Sequence, residues 1–203
     1  MDSFVTGVLA GYGIAIPVGA IAILIVEVGL KHGFRHAFFA GAGAATADFF
    51  YAGLAVIGGA ALAGVIGDIG RPFEIVSGAV LILIALIGLR RVGRGVEAKD
   101  ESPYPTRNQL LRIYSRFLGL TLINPTTVVY FAGVIIGLGV AQDMTPSQGA
   151  LFVTGAFLAS LSWQTVVAAV GSSAGQRLSA RATSVAIIIG NLMVLVLGIL
   201  ILI

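Results

Sequence analysis

Residues 120–130 read LTLINPTTVVY, and residues 13–20 read GIAIPVGA. Each stretch sets a proline, Pro125 or Pro17, inside an apolar run that otherwise reads as the middle of a long helix. Proline removes a backbone donor and clashes with the carbonyl one turn earlier. In lipid, the freed carbonyl has to find a partner inside the protein. Discontinuous helices exploit such a break, because their half-helix ends aim dipoles and bare backbone groups at a molecule held near the midplane. Proline also makes ordinary kinks in membrane helices. Two breaks at corresponding places in the two halves of the chain favour a built site over two kinks.

The composition names the solvent. The chain has 203 residues, of which 58% are hydrophobic and 10% charged, and its mean hydropathy is +1.03. A soluble domain carries about 25% charged residues, and a soluble fold of this length has no way to hide so much apolar surface. Glycine, 28 of 203, is about double its usual ~7%. Small residues let membrane helices approach closely, so Gly7 with Gly11 and Gly133 with Gly137 read as packing positions. There is no cysteine, which excludes disulfides, thiolate metal sites and thiol redox relays. The opening MDSFVTG has no basic residue before its apolar run. It therefore reads as a retained helix rather than a signal peptide.

A spanning helix needs about 20 mostly apolar residues. Six segments meet or nearly meet that requirement: 3–29, 37–63, 73–90, 116–140, 148–170 and 183–203. The connections are short except for 91–115. Basic residues sort by loop. The first loop carries Lys31 and Arg35. The third, with its helix edges, carries Arg90, Arg91, Arg94, Lys99, Arg107, Arg112 and Arg116. The fifth carries Arg177 and Arg181, and only Arg71 lies in an even loop. By the positive-inside rule the odd loops, 91–115 among them, are cytoplasmic and both termini face outward. The expected fold is an all-α membrane protein of six helices in one domain, 1–203. It forms two inverted three-helix repeats, about 3–90 and 116–203, each with a proline-broken first helix.

Depth brings polar residues together. At about 1.5 Å per residue, Pro17 lies ~21 Å from Lys31, and Asp48 lies ~18 Å from His36 at the same edge. By the same measure Asn124 lies ~12 Å from Arg116, and Gln164 lies ~10 Å from Gly171. Both pairs are candidates to line one cavity. Asp48, in AATADFFYAG, has no Lys or Arg one turn away. A carboxylate at that depth costs about 2.5–3.5 kcal/mol on insertion scales, so it faces a cavity or carries a proton. It reads as a cation or proton site, against the plainer reading of an acid hydrogen-bonded to a neighbouring helix. Asn124 offers an amide at the second break, with Thr121, Thr126 and Thr127 around it. In SLSWQ, Trp163 is placed to stack on or wall the site, beside Gln164. Glu27 reads as a partner of Lys31, one turn on. His32 and His36 read as surface residues, and Asn191 as interhelical glue.

With these residues in view, the chain resembles the LysE family of amino-acid exporters. The resemblance runs nearly end to end. It rests on GVLAGYGIAIPVG, the basic turn GLKHGFRHAF, GAGAATADFFYA, LTLINPTTVVYF and GAFLASLSW. It implies export of amino acids or similar small cations from the cytoplasm, driven by the proton gradient. It matches Pro17 and Gly19 to the family's first break, Asp48 to its second-helix acid, and Asn124 and Pro125 to its second break. Where exporters of basic amino acids have a second proline and then polar residues, this chain has Ala20, Ile21 and Ala22. Arginine or lysine is therefore not implied as cargo.

The leading expectation is a proton-coupled secondary exporter in the plasma membrane. Its site residues are Asp48, Pro17, Gly19, Asn124, Pro125, Thr121, Trp163 and Gln164. The partners implied are the bilayer, a small amino-acid substrate and a proton. A homodimer is compatible with the sequence. No cofactor, metal set, catalytic group or nucleic-acid surface is indicated. A metal exporter would want softer ligands than the scattered Met1, Met144 and Met193 and the peripheral histidines. An enzyme would want an acid–base constellation at one depth. A non-transporting scaffold would have no need of Asp48.

Overall fold

The computed structural model describes residues 2–16, 19–92, 106–124, 127 and 144–202, with 58–71, 73, 74, 77, 91, 92 and 180 described by backbone alone. The helices in chain order are α1 (Ser3–Ala15), α2 (Ala20–His32), α3 (Phe34–Val92), α4 (Arg107–Leu122), α5 (Pro146–Arg177) and α6 (Ala180–Leu202). Phe34–Ile57, Pro146–Arg177 and Arg181–Leu202 are each long and apolar enough to cross a bilayer. The α1–α2 pair makes a fourth candidate, bent by 76° at its break, and Gly78–Arg90 is a shorter apolar helix. The side chains left on the outside are largely aliphatic, among them Leu9, Leu54, Ile57, Val166, Val196 and Leu200. So much exposed hydrocarbon suits lipid and not water. The chain is an all-α membrane protein.

The expected span 37–63 and its successor 73–90 are not separated by a loop. Helical backbone continues through Phe34–Val92, with Pro72 inside it. A straight helix of 59 residues would be about 88 Å long, near three bilayer thicknesses. Yet Ala37, Ala40 and Ala44 share one buried cluster with Leu81 and Ala85. α3 therefore doubles back, and its outgoing and returning arms lie in the same core. The turn keeps its backbone bonds internal, as an apolar surrounding demands. Of the expected span 116–140, α4 covers only the start. Most of the remainder, with Gly133 and Gly137, lies outside the described residues.

Glycine sets the helix spacing. A Cβ at Gly7 would sit 2.8 Å from the carbonyl carbon of Phe152, and one at Gly11 would sit 2.8 Å from the Cα of Ala156. Beyond the break, Gly171 faces Val26 and Gly175 faces Leu30. The sequence offset between partners is the same on both sides of the break. α1 and α2, bent by 76° to each other, thus meet α5 in one parallel register. The outgoing arm of α3 runs antiparallel to α5, since Gly41 meets Gln164 while Gly149 meets Val56. Its returning arm runs antiparallel to α6, since Gly78 meets Gly198 and Gly88 meets Asn191.

Two T-x-x-Q boxes start helices. At α5, Gln148 N donates to Thr145 Oγ1 (3.4 Å) while Thr145 N donates to Gln148 Oε1 (2.8 Å). Thr106 and Gln109 repeat this at α4. Each box satisfies donors that a helix start leaves open. Thr145→Ala is expected to cost about 1 kcal/mol, visible as a small drop in the melting temperature of the detergent-solubilised protein.

Candidate functional site

Asp48 lies on the outgoing arm of α3 and is only 4% exposed. Its Oδ2 accepts a hydrogen bond of 2.5 Å from Ser160 Oγ on α5. Ser160 is itself fully buried, so this contact couples the two helices in the interior. Gln164 lies one turn after Ser160 and shares its face. Gly41 lets α5 come close here, because a Cβ on it would lie 2.8 Å from Gln164 Cβ. Gln164 Oε1 is buried and accepts no hydrogen bond among the described residues.

The end of α1, the start of α2 and the end of α4 meet at this level. α1 stops at Ala15 and α2 starts at Ala20, with Gly19 extended before it as a cap without a side chain. The first backbone bond of α2 is Ile23 N to Gly19 O (3.3 Å). The amides of its opening turn have no acceptor one turn back within the helix, and no side chain caps them among the described residues. Gly19, Ile21 and Ala22 line the cavity in front of it. α4 stops at Leu122, two residues before Asn124. Its last carbonyls are tied down: Ile123 N donates to Gly119 O (3.0 Å) and Asn124 N to Thr121 O (3.2 Å). Tyr51 Oη donates to Leu122 O. Thr121 Oγ1 turns back to Phe117 O at 2.8 Å.

The result is one cavity of about 50 Å³, lined by Gly19, Asp48, Thr121, Asn124, Thr127 and Gln164 together with aliphatic side chains. Among the described residues, Asp48 is the only charged one in that lining. The wall thus carries acceptors of negative character at one side and a positive helix end at another. A space of this size admits water molecules, while pockets that enclose organic ligands run to roughly 300–1,000 Å³.

Five of the expected site residues therefore come together: Gly19, Asp48, Thr121, Asn124 and Gln164. Pro17 and Pro125 lie outside the described residues. Trp163 stands apart from the cavity lining. It packs against the main core cluster instead, and its Nε1 is buried with no partner among the described residues. Ser160 and Tyr51 were not among the expected site residues. Their sequence signal was available: Ser160 sits one turn before Gln164, and Tyr51 one turn after Asp48. Tyr51→Phe is expected to free the Leu122 carbonyl and cost about 1–2 kcal/mol locally. Faster amide hydrogen exchange confined to the last turn of α4 is the check.

Helix ends that converge on a buried carboxylate are a recurring feature of membrane transporters. The family model for LysE type translocators matches residues 13–203. The chain is a member of the LysE translocator family. It is 28% identical over 162 residues to the chemotactic transduction protein ChpE of Pseudomonas aeruginosa, covering 79% of this chain and 77% of that protein. It is 30% identical over 147 residues to the uncharacterized membrane protein YahN of Escherichia coli, covering 72% of this chain and 64% of that protein. No solved structure matches it.

Proposed function

We propose that the protein exports amino acids or similar small molecules from the cytoplasm in exchange for protons, through the cavity at Asp48. One observation carries this reading: Asp48, the one charged residue among those described in the lining, shares a cavity with the side-chain-uncapped start of α2 and the end of α4. An amino acid is a zwitterion. Its carboxylate suits the positive end of α2, and its ammonium suits Asp48, the Gln164 oxygen and the negative end of α4. A proton can replace the ammonium at the same carboxylate, which makes the two alternate occupants. The cavity has to widen for the substrate, and the breaks near Gly19 and Asn124 are the natural hinges. Membership in a translocator family supports transport over catalysis.

In this reading the chain spans the plasma membrane as two inverted repeats, with both termini outside and the basic 91–115 loop in the cytoplasm. The parallel pairing of the first span with α5 supports it, because first and fifth spans run in the same direction in a six-span order. The test is a panel of labelled amino acids loaded into proteoliposomes and released against an imposed proton gradient. Gradient-dependent efflux of at least one amino acid above that of empty liposomes is expected. If none leaves, the amino-acid reading fails.

A further inference from the structure

A second cavity, about 130 Å³, lies between α2, the returning arm of α3, α4 and α6. Its polar lining is Glu27, Lys31, His32, Arg116 and Asn191. Both oxygens of Glu27 are engaged: Oε1 by Lys31 Nζ at 2.6 Å, and Oε2 by Asn191 Nδ2 at 2.9 Å. The single carboxylate is thus balanced by Lys31. The guanidinium of Arg116 remains as excess positive charge on the lining, in a fork suited to a carboxylate. Asn191 is buried, and its Oδ1 accepts no hydrogen bond among the described residues. That oxygen is closed off against Gly88. The Arg116 cation on the lining fits a small molecule bearing a carboxylate.

This cavity is stacked on the central one along the same two helices. Leu24 of α2 and Phe117 of α4 line the outer cavity. One turn further in, Ile21 and Ala22 of α2 and Thr121 of α4 line the central cavity. Leu24 and Phe117 are 5% and 3% exposed and belong to one buried cluster. One helical turn is ~5 Å, so a single apolar layer separates the two spaces.

We propose that the outer cavity is the cytoplasmic receiving site for the substrate's carboxylate, and that Leu24 and Phe117 form the closed barrier between it and the central cavity. This rests on the exporter reading for its orientation and cargo. The barrier explains how a charged entrance and a central carboxylate coexist without a continuous water path. The substrate is first held at Arg116, then passes when α2 and α4 part at that layer.

The absence of cysteine from the chain makes labelling clean. In inside-out vesicles, Thr121→Cys is exposed to membrane-impermeant methanethiosulfonate reagents, alone and combined with Phe117→Ala or Leu24→Ala. Labelling is expected to accelerate about tenfold or more when the layer is thinned. Ile87→Cys, in the outer cavity wall, reports its charge. It is expected to react about fivefold faster with the anionic reagent than with the cationic one, and Arg116→Gln is expected to erase that preference. No acceleration at Thr121→Cys in either thinned variant, in protein whose Ile87→Cys labels normally, overturns the barrier. Equal rates for the two reagents overturn the carboxylate site. None of these readouts needs transport. They can therefore succeed while the efflux panel is silent, which would leave the entrance in place and remove the amino-acid cargo.

Discussion

Asp48→Asn is expected to abolish gradient-driven efflux while leaving the protein inserted and folded. The substitution keeps the size of the side chain and an oxygen that can still accept from Ser160 Oγ, whose bond to Asp48 spans 2.5 Å. Packing at this 4%-exposed position is therefore preserved. What disappears is the carboxylate charge in the cavity lining, and with it the group that can hold a proton or an ammonium. Losing one partner of a buried charge pair costs about 2–5 kcal/mol, which is a fall of roughly thirtyfold or more in the driven rate. The check is efflux from proteoliposomes of matched protein content, with the elution profile in detergent as the control for folding. Unchanged efflux would remove Asp48 from the mechanism and favour a purely structural acid.

The second large effect falls on assembly. Gly7→Leu places a side chain where the carbonyl carbon of Phe152 stands 2.8 Å from even a Cβ. The obstacle is backbone, so no rotamer change relieves it, and α1 has to move off α5. Overpacking of this kind costs about 3 kcal/mol or more, which corresponds to a fall of roughly 10 °C in melting temperature. Gly13→Ala is the matched control. It lies on the same helix, and nothing stands within 4 Å of a Cβ there. It is expected to be neutral or to gain up to about 1 kcal/mol from better helix propensity. Equal melting of the two variants would mean that α1 is not held by its contact with α5. Loss at Gly7 alone would show that close backbone approach, and not lipid partitioning alone, seats the first span.

Much of the molecule was legible along the chain because the bilayer simplifies the problem. Apolar runs of spanning length read directly as helices, and lipid permits no lipid-exposed irregular backbone between their ends. The stops before Pro17 and Pro125 followed from proline chemistry. α1 ends at Ala15 and α4 at Leu122. Glu27 meets Lys31 as the i, i+4 spacing requires. Between the expected spans 37–63 and 73–90, where a short connection was expected, helical backbone runs on through Phe34–Val92.

Sequence alone determined the apolar, helical character of the chain and the stops of α1 at Ala15 and of α4 at Leu122 ahead of the two prolines. These depend on local composition and on the fixed rise of a helix. Only the tertiary structure decided which helix faces met. It brought Ser160 to Asp48 and Tyr51 to the end of α4, it set Trp163 against the core instead of the cavity, and it stacked two cavities on either side of Leu24 and Phe117. Those outcomes depend on the rotation of each helix about its own axis. That rotation is set by glycine contacts such as Gly7 on Phe152 and Gly41 on Gln164, between residues more than a hundred positions apart.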